Sequence, residues 1–498
     1  MPRTGALLQV FLFLTRKLLA ALRLPLSAAF LASPSDAFPR HLGTTQRRGT
    51  GKPPAQINSS LIKPTHIRLS DLRGFHRLAS DATVGVTDLV EAMHHTIVRM
   101  PGILGEAQKG RTKGITGLVY RSVRGVTRLV GDGVDVLLAL IAPLIAERRS
   151  SPEREAILAA LNGVLGDYLV ASGNPLAIAM CLRAAGTPLE ISRAALAAAF
   201  PQRGSKVLVL AHGLCMNDLQ WTREGHNHGT ALARDLGWTP IYFHYNSGRH
   251  ISANGRDFAD LMEALLREWP RPIEQLAVMG HSMGGLVARI ACYYASLARH
   301  RWLRRLDHLI FLGTPHFGAP LERAGTRVDF LIGISPYTAP FARLGRIRSA
   351  GIRDLGHGYL FDEDLQAPVS ECARRSPSAL PAGLRCYAMA ASRQPQPGSR
   401  GAKMRGDGLV PVRSALGMNR DASLKLGLPE EQQWVGFGME HFDLLSSADV
   451  YKKIRGWLAI VARRHSGSAR GNDWFDANCR GATTDRSWPD GRLPMGRR

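Results

Sequence analysis

The stretch from Gln275 to Tyr294 constrains the fold of this chain more than any other. A short apolar run, Leu276 to Met279, is typical of a buried strand, and from Leu286 onward apolar residues recur at helical spacing. Between the two lies Gly-His-Ser-Met-Gly, residues 280–284, a G-x-S-x-G pentapeptide. In this context of strand, turn and helix, the pentapeptide predicts a nucleophile elbow, in which a tight turn holds the serine hydroxyl clear of a sheet.

Ser282 is therefore the candidate nucleophile, and Met283 the first candidate oxyanion donor. Glycines flank the serine because only residues without a Cβ allow the close approach and the unusual φ that the turn demands. The backbone N–H of Met283, at the helix start, would point at the developing oxyanion. The pentapeptide alone also fits an ordinary glycine-rich turn, so a base, an acid and a second donor must be found elsewhere.

The 498-residue chain is strongly basic, with a formal net charge of +24. A disproportionate share of its basic residues lies near the two ends, from Arg3 to Arg73 and from Arg463 to Arg498. Such a charge could favour nucleic acid or anionic lipid. Because no nucleic-acid motif, aromatic–basic interleaving or zinc-ligand spacing accompanies it, we expect no nucleic-acid partner. Peripheral contact with an anionic membrane stays open.

The six cysteines are scattered and form no C-x-x-C pair, which indicates reduced thiols. A bridge between Cys372 and Cys386, across a surface insertion, is the alternative.

Residues 1–69 are predicted to be an N-terminal extension and linker. Charges at Arg16, Lys17 and Arg23 interrupt the apolar runs of the first 32 residues, whereas a secretory signal needs an uninterrupted apolar core. We therefore expect a cytoplasmic or peripheral-membrane location rather than secretion, with a degenerate signal or membrane-surface helix as the alternative.

Residues 70–203 are predicted to be a helical region packed on the catalytic domain. Apolar residues recur at helical spacing in runs that start at Asp81, Ile115 and Pro152. The very apolar segment from Val134 to Ile145 carries Asp135, is interrupted by a proline and is too short to span a bilayer. Peripheral membrane binding by this region is the alternative.

From residue 204 to residue 465, short apolar runs alternate with amphipathic helical patterns, which predicts an α/β fold: a mainly parallel sheet with helices on both faces. The insertion at about 316–383, rich in Pro, Gly and Arg, is predicted to be a lid over the active site. Residues 466–498 lack periodicity and are predicted to be a disordered tail.

Candidates for the remaining groups follow predicted strands, where ligands bind in open α/β sheets. The backbone N–H of Leu214, directly after the first strand of this domain, is the candidate second oxyanion donor. Asp407, in an Asp-Gly turn, is the candidate acid. Ordinary turns are the alternatives at both positions. Asp362, Asp364 and Glu371 are poorer candidates because they lie inside the predicted lid.

His441 follows the last predicted strand and precedes the last helix, a placement that suits a general base reaching Ser282. His212 and His316 also follow strands and are the rivals. Asp443 could be mistaken for the acid, but it lies too near His441 in sequence to face its ring.

The order Ser282, Asp407, His441 is that of the α/β-hydrolases. Residues 206–464 resemble bacterial lipases and esterases of that superfamily, in particular the branch of GPI inositol-deacylase-like serine lipases. The matching segments are Ala-His-Gly-Leu (211–214), Tyr-Asn-Ser-Gly-Arg (245–249), Gly-His-Ser-Met-Gly-Gly (280–285), Gly-Thr-Pro-His-Phe-Gly-Ala-Pro (313–320) and Gly-Asp-Gly-Leu-Val-Pro (406–411). The resemblance implies an α/β-hydrolase fold, ester hydrolysis through an acyl-serine, no cofactor, and a structural or pocket role for His316.

The sequence thus predicts a serine carboxylic-ester hydrolase that acts on a small-molecule ester or a lipid. Two alternatives stay open at this point. The same triad could transfer the acyl group to an alcohol or lipid instead of water. The chain could also be a membrane-associated interaction protein with a vestigial hydrolase domain.

Overall fold

A computed structural model describes most of the chain between residues 68 and 459. The described residues are 68–98, 112, 114–141, 150–201, 204–318, 349–361, 380–381, 383–396, 406–421 and 424–459. The predictions for the N-terminal extension, most of the lid and the tail therefore lie outside the described residues. So do Asp362, Asp364, Glu371, Cys372 and Cys479.

The chain divides into two compact units. One comprises residues 1–155, 172–176 and 339–346, and we call its described part the helical unit. The other comprises residues 156–171, 177–338 and 347–498, and we call its described part the sheet unit. Across the described ranges, every helix is too short or too polar to cross a lipid bilayer.

The helical unit contains two long helices, α1 (Leu69–Val98) and α2 (Gly114–Ile141), which pack against each other. Asp135, which interrupts an apolar run in the sequence, accepts hydrogen bonds from Arg73 Nε at 2.6 Å and from Arg77 Nε at 2.7 Å. These bonds hold the pKa of the Asp135 carboxyl well below its usual range. The helices are thus joined by ion pairs as well as by apolar contacts.

A second ion pair joins the same helices. Arg124 of α2 pairs with Glu91 of α1, and both side chains are almost fully buried. Burial raises the pKa of Glu91, but the hydrogen bonds from Arg124 and Thr112, together with the charge of Arg124, outweigh it and lower the pKa overall. Helix α1 begins at Leu69, well before the start predicted at Asp81, because Asp71 accepts a hydrogen bond from the Arg68 N–H at 2.9 Å and so caps an earlier turn.

The sheet unit is built on one eight-stranded sheet. The strands in chain order are β1 (Cys181–Ala184), β2 (Thr187–Pro188), β3 (Lys206–Ala211), β4 (Thr239–His244), β5 (Gln275–His281), β6 (Leu306–Leu312), β7 (Arg385–Ser392) and β8 (Gln433–Phe437). Their spatial order is β2-β1-β4-β3-β5-β6-β7-β8. From β4 to β8 all neighbours are parallel, whereas β1 pairs antiparallel with both β2 and β4.

Helices cover this sheet on both faces. Those of the sheet unit are α3 (Pro152–Ala171, whose first turn belongs to the helical unit), α4 (Arg193–Ala199), α5 (His228–Leu236), α6 (Ile251–Glu268), α7 (Met283–Leu297), α8 (Ala350–His357), α9 (Val412–Ala415) and α10 (Ala448–Ala459). Residues 207–211 of β3 are fully buried, which is why the central strands are continuous apolar runs. The predicted fold class, an α/β-hydrolase fold with a mainly parallel sheet, is confirmed.

The prediction of a purely helical region at 70–203 is wrong at its C-terminal end. Strands β1 and β2 lie there, and β1 extends the sheet by pairing with β4, with Leu182 opposite Phe243. Only Leu182 of the four β1 residues is fully buried, so the sequence shows no strand periodicity. The strand forms because β4 presents a free edge to it.

Three buried cysteines of the described part of the chain are free thiols: Cys215, Cys292 and Cys386. Cys386 therefore forms no bridge, as the reduced-thiol interpretation predicts.

Candidate active site

Ser282 lies at a sharp turn between β5 and α7. Its φ of 54° and ψ of −123° are sparsely populated for a residue with a Cβ. The backbone holds this conformation, because the Ser282 N–H donates to the Leu312 carbonyl of β6 at 2.8 Å. A Cβ on Gly280 would overlap the backbone of Gly285, and one on Gly284 would overlap the carbonyl oxygens of residues 211 and 212. The glycines of the motif are therefore required by close packing.

The loop after β3 lies directly against this turn. A Cβ built on Gly213 would be 3.2 Å from the Cβ of Ser282. Leu214 follows, and Met283 is the first residue of α7. Among the described residues, neither the Leu214 nor the Met283 N–H donates to another protein group. Both predicted oxyanion donors thus belong to segments that adjoin the predicted nucleophile.

Two residues outside the predicted catalytic set hold this loop in place. The Tyr245 hydroxyl donates to the His212 carbonyl at 2.9 Å, and the Ser247 hydroxyl accepts from the Cys215 N–H at 3.0 Å. Cys215 has a φ of 58°, so the loop needs such support. Both residues belong to the segment 245–249 that follows β4, and its position at a strand end was the available signal.

Asp407 and His441 are brought together by the loops that follow β7 and β8. His441 Nδ1 lies 2.7 Å from Asp407 Oδ2, and both side chains are almost fully buried. The other oxygen, Oδ1, accepts from the Leu409 N–H at 2.9 Å and the Val410 N–H at 2.8 Å. Asp407 therefore forms the Asp-Gly turn and also orients an imidazole, so the two interpretations of its role are compatible.

His441 lies in the immediate neighbourhood of the nucleophile. The ring of His281, the residue before Ser282, is 4.7 Å from the His441 ring, and His281 Nε2 lies 3.4 Å from the His441 carbonyl oxygen. Burial lowers the pKa of His281 well below its usual value, so this neighbour stays neutral. His441 Nε2 is buried without a hydrogen-bond partner among the described residues. The free nitrogen is the one that a general base would use.

The two rival histidines occupy closed environments. His212 Nδ1 donates to the Gly213 carbonyl at 2.9 Å, and its Nε2 accepts from the Tyr245 N–H at 3.4 Å. Burial lowers the pKa of His212 to about 3. His316 packs edge-on against Phe311 at 4.6 Å, and burial lowers its pKa too. Both are therefore neutral packing residues.

Asp443 is a capping residue. Its Oδ2 accepts from the Glu440 N–H at 2.7 Å in a reciprocal capping box at the start of the 3-10 turn His441–Leu445. Its side chain thus points back along the chain and leaves Asp407 as the carboxylate on the His441 ring.

A buried polar cluster lies beside the loop after β3, and nothing in the sequence pattern indicated it. Asp218 is paired with Arg183 of β1 at 3.0 Å, and His244 Nδ1 of β4 lies 3.3 Å from the same oxygen. The cluster ties the edge of the sheet to the segment that follows Leu214. No group of three or more His, Cys, Asp and Glu side chains in the described part of the chain could hold a metal ion.

Only part of the predicted lid is described, and it packs inside the sheet unit. Helix α8 begins with Ser349, whose hydroxyl donates to the Gly163 carbonyl at 2.6 Å. Asp354 of the same helix accepts from the Ile251 N–H at 2.9 Å. The prediction that the insertion covers Ser282 concerns residues outside the described set and stays a prediction.

Comparison with known proteins adds a family match. Residues 203–367 match the model of the PGAP1-like alpha/beta domain, while no curated protein matches the sequence significantly. The fold is similar to that of the mature Bacillus licheniformis lipase BlEst2, at 16% identity over 51% of this chain and 92% of that one, with a TM-score of 0.33.

Two other solved structures are similar to this chain at comparably low sequence identity. The Pyrococcus furiosus esterase Pf2001 shows 13% identity over 51% of this chain and 82% of that one, with a TM-score of 0.33. The Legionella pneumophila phospholipase PlaB shows 15% identity over 43% of this chain and 45% of that one, with a TM-score of 0.29. Likenesses this distant do not indicate a substrate. The predicted resemblance is confirmed by the family match, in which residues 203–367 are similar to the PGAP1-like alpha/beta domain.

Proposed function

We propose that the protein is a serine carboxylic-ester hydrolase with Ser282, Asp407 and His441 as its catalytic triad. The observation that supports this most is the 2.7 Å contact between Asp407 and His441, formed beside a serine whose φ is 54°. A buried carboxylate on one ring nitrogen leaves the other nitrogen free to exchange protons with the serine hydroxyl.

In the first half of the reaction, His441 Nε2 accepts the Ser282 hydroxyl proton while Oγ forms a bond to the ester carbonyl carbon. The N–H groups of Leu214 and Met283 stabilise the resulting oxyanion. The bond from carbon to the alcohol oxygen then breaks, and His441 gives its proton to the departing alcohol. An acyl-serine remains.

The second half repeats these steps with water. His441 takes a proton from water, whose oxygen bonds to the acyl carbon, and the bond to Ser282 Oγ then breaks as the serine regains a proton. Asp407 keeps the His441 ring oriented and stabilises its charged form throughout. The products are a carboxylic acid and an alcohol, from short-chain or lipid-like esters.

The test is turnover of short-chain and long-chain p-nitrophenyl esters by the wild type and by Ser282→Ala. We expect the variant to lose at least about 1,000-fold in kcat, because no acyl-serine can form. Its folding should be checked by circular dichroism, and a fluorophosphonate probe should label the wild type alone. A folded Ser282→Ala protein that retained most of the turnover would refute the triad.

A further inference from the structure

The 3-10 turn His441–Leu445 begins with the proposed general base, so the position of that base depends on what fixes the turn. The capping box between Glu440 and Asp443 holds its first residues. The last carbonyls of a helical turn have no partner within the turn itself. His228 provides one, because its Nε2 donates to the Leu444 carbonyl at 2.9 Å in a buried hydrogen bond. A second histidine thus holds the end of the turn that carries the base.

The tautomer of His228 follows from its two partners. A carbonyl can only accept, so Nε2 of His228 carries the proton. Burial lowers the pKa of His228 to about 4, so the ring is neutral near neutral pH and its Nδ1 is an acceptor. His226 Nε2 lies 2.8 Å from that Nδ1 and therefore donates to it. The hydrogen bonds run in one direction, from His226 through His228 to the carbonyl of Leu444.

The His228 ring is fixed by residues outside the turn that it contacts. His228 is the first residue of α5, whose N-cap, Asn227, accepts from the Thr230 N–H at 3.0 Å. The ring of Tyr451, in α10, lies nearly parallel to the His228 ring, with the centroids 6.0 Å apart. The imidazole therefore donates to the turn from the end of a capped helix.

The hairpin that precedes α5 makes two further contacts with the same turn. Arg223 and His226 exchange backbone hydrogen bonds at 2.9 Å, and the two residues between them have φ values of 51° and 78°, as a tight two-residue turn requires. The Arg223 guanidinium lies over the Phe442 ring, 5.4 Å from its centroid. The Ser446 hydroxyl, just after the turn, donates to Glu224 at 3.0 Å. The hairpin and His228 thus contact the turn at its start and at its end.

We propose that His228 is a positioning residue for His441. By holding the Leu444 carbonyl, it keeps the base oriented with Nδ1 towards Asp407 and Nε2 left for the serine hydroxyl. The role rests on the proposed triad, and His228 acts through the turn, not on the substrate. Its effect on rate should be large for a single hydrogen bond, because a displacement of about 1 Å in an active site can cost about 100-fold.

The competing explanation is that His228 only satisfies a buried carbonyl and so stabilises the fold. A purely stabilising role predicts a lower unfolding temperature with an unchanged kcat. A positioning role predicts a lower kcat in protein that is still folded, and a change at the base that can be observed without substrate.

The first experiment compares His228→Leu with His228→Gln in the full-length chain. Leucine leaves the Leu444 carbonyl without this donor, whereas the amide nitrogen of glutamine can take the place of the imidazole Nε2. With a soluble p-nitrophenyl ester, His228→Leu should lower kcat about 10-fold at nearly unchanged KM, because an unsatisfied buried acceptor displaces the turn. His228→Gln should restore kcat to within about threefold of the wild type.

His308→Leu is the matched control. His308 of β6 is also buried, but neither of its ring nitrogens has a hydrogen-bond partner among the described residues. It lies in the first half of its strand, whereas the candidate site lies at the carboxyl ends of the strands, so the same substitution there should leave kcat unchanged. If His308→Leu lowered kcat as much as His228→Leu did, or if the two variants of His228 had equal kcat, the proposal would be overturned.

The second experiment observes the base directly by proton NMR. The proton between His441 Nδ1 and Asp407 lies in a short, buried hydrogen bond and should give a far-downfield resonance, which His441→Ala identifies by its loss. His228→Leu should broaden this resonance and shift it upfield, and His228→Gln should restore it. An unchanged resonance in folded His228→Leu protein would overturn the proposal.

The two readouts separate this proposal from the proposed function. If the wild type cleaved no ester but the resonance responded to His228 as expected, ester hydrolysis would be refuted and the positioning role would stand. If Ser282→Ala abolished turnover while His228→Leu changed neither kcat nor the resonance, the reverse would hold. Should His228→Leu fail to fold, His228→Asn takes its place in both experiments, because its amide is polar but too short to reach the Leu444 carbonyl.

Discussion

The two units of this protein differ in the titratable groups that they bury. In the helical unit, Asp135 and Glu91 are buried as ions, each held by arginine. In the sheet unit, the buried titratable groups are largely histidines that burial keeps neutral, such as His212 and His281. The sheet unit also buries one ion pair, Asp218 with Arg183 of the edge strand β1, but its buried histidines are held in the neutral form because burial disfavours the charged imidazole.

The largest expected effect separates the buried aspartates of the two units. Asp407→Asn should lower kcat by about 10⁴-fold with little loss of stability, because an amide turned towards His441 Nδ1 favours the wrong tautomer. Asp135→Asn should leave the turnover of a soluble ester unchanged and destabilise the helical unit, where it leaves two arginines without an anion. Steady-state kinetics and thermal unfolding of both variants measure the contrast. Equal losses of kcat in the two variants would contradict the assignment of a catalytic role to Asp407 alone.

Acid should unfold the sheet unit before the helical unit. Burial lowers the pKa of His212 to about 3 and that of His228 to about 4, below the unfolded value. Their contribution to stability is therefore complete above pH 6.5 or so and is lost as the pH falls, at about 1.4 kcal/mol per pH unit for each histidine. The lowered pKa of Asp135 acts only below the unfolded carboxyl value of about 4.

Urea unfolding at pH 7, 6 and 5 measures this order. No tryptophan lies between residues 68 and 176, so tryptophan fluorescence reports the sheet unit, and far-UV circular dichroism includes both units. As the pH falls, the urea midpoint reported by tryptophan fluorescence should decrease before the midpoint of the remaining helical circular-dichroism signal does. Coincident midpoints at every pH would show that the units unfold together.

Packing should also be denser in the sheet unit than in the helical unit. Substitution of one glycine in each unit tests this. A Cβ on Gly255 of α6 would lie 2.6 Å from Ile290, whereas one on Gly85 of α1 would meet nothing within 4 Å. Gly255→Ala should cost about 1–3 kcal/mol through overpacking. Gly85→Ala should add about 0.5–1 kcal/mol, because alanine loses less backbone entropy in a helix. Thermal unfolding gives both values, and effects of the same sign would contradict the contrast.

The smallest expected effect on kcat comes from weakening the support of the loop after β3. Tyr245→Phe removes one hydrogen bond to the His212 carbonyl, worth about 1 kcal/mol, and should lower kcat several-fold with little change in KM. Tyr242→Phe is the matched control, because its hydroxyl donates to Asn227, away from the loop, at 2.7 Å. If both variants lowered kcat alike, Tyr245 would be a merely structural residue.

The sequence predicted most of the sheet because strands buried on both faces need continuous apolar runs, as in β3 and β5. It failed at β1, where pairing with β4 rather than apolar pattern creates the strand. It also could not show that Asp135 pairs with Arg73 and Arg77, since only tertiary packing brings together residues that lie far apart in the chain.

The candidate site likewise contains parts that the sequence predicted and parts that it did not. The turn at Ser282 is encoded locally, because its glycines are adjacent in sequence and each is needed for a close approach. The contact between Asp407 and His441 was predicted only from chain order, and the structure brings the two side chains together. The segment 245–249 could be marked in the sequence, but the partners of Tyr245 and Ser247 could not be predicted, since a hydroxyl after a strand has many possible partners.

The order of the strands also has a consequence for synthesis. Strands β3, β4, β5 and β6 can pair as soon as they leave the ribosome, because β5 and β6 add outward from β3 in chain order. The serine turn, anchored through Leu312 of β6, can thus form while His441 has not yet been translated. A nascent chain would display the nucleophile but not the base. If the proposed triad acts, its chemistry would therefore begin only after the last strand is in place, and unfinished chains would be inactive.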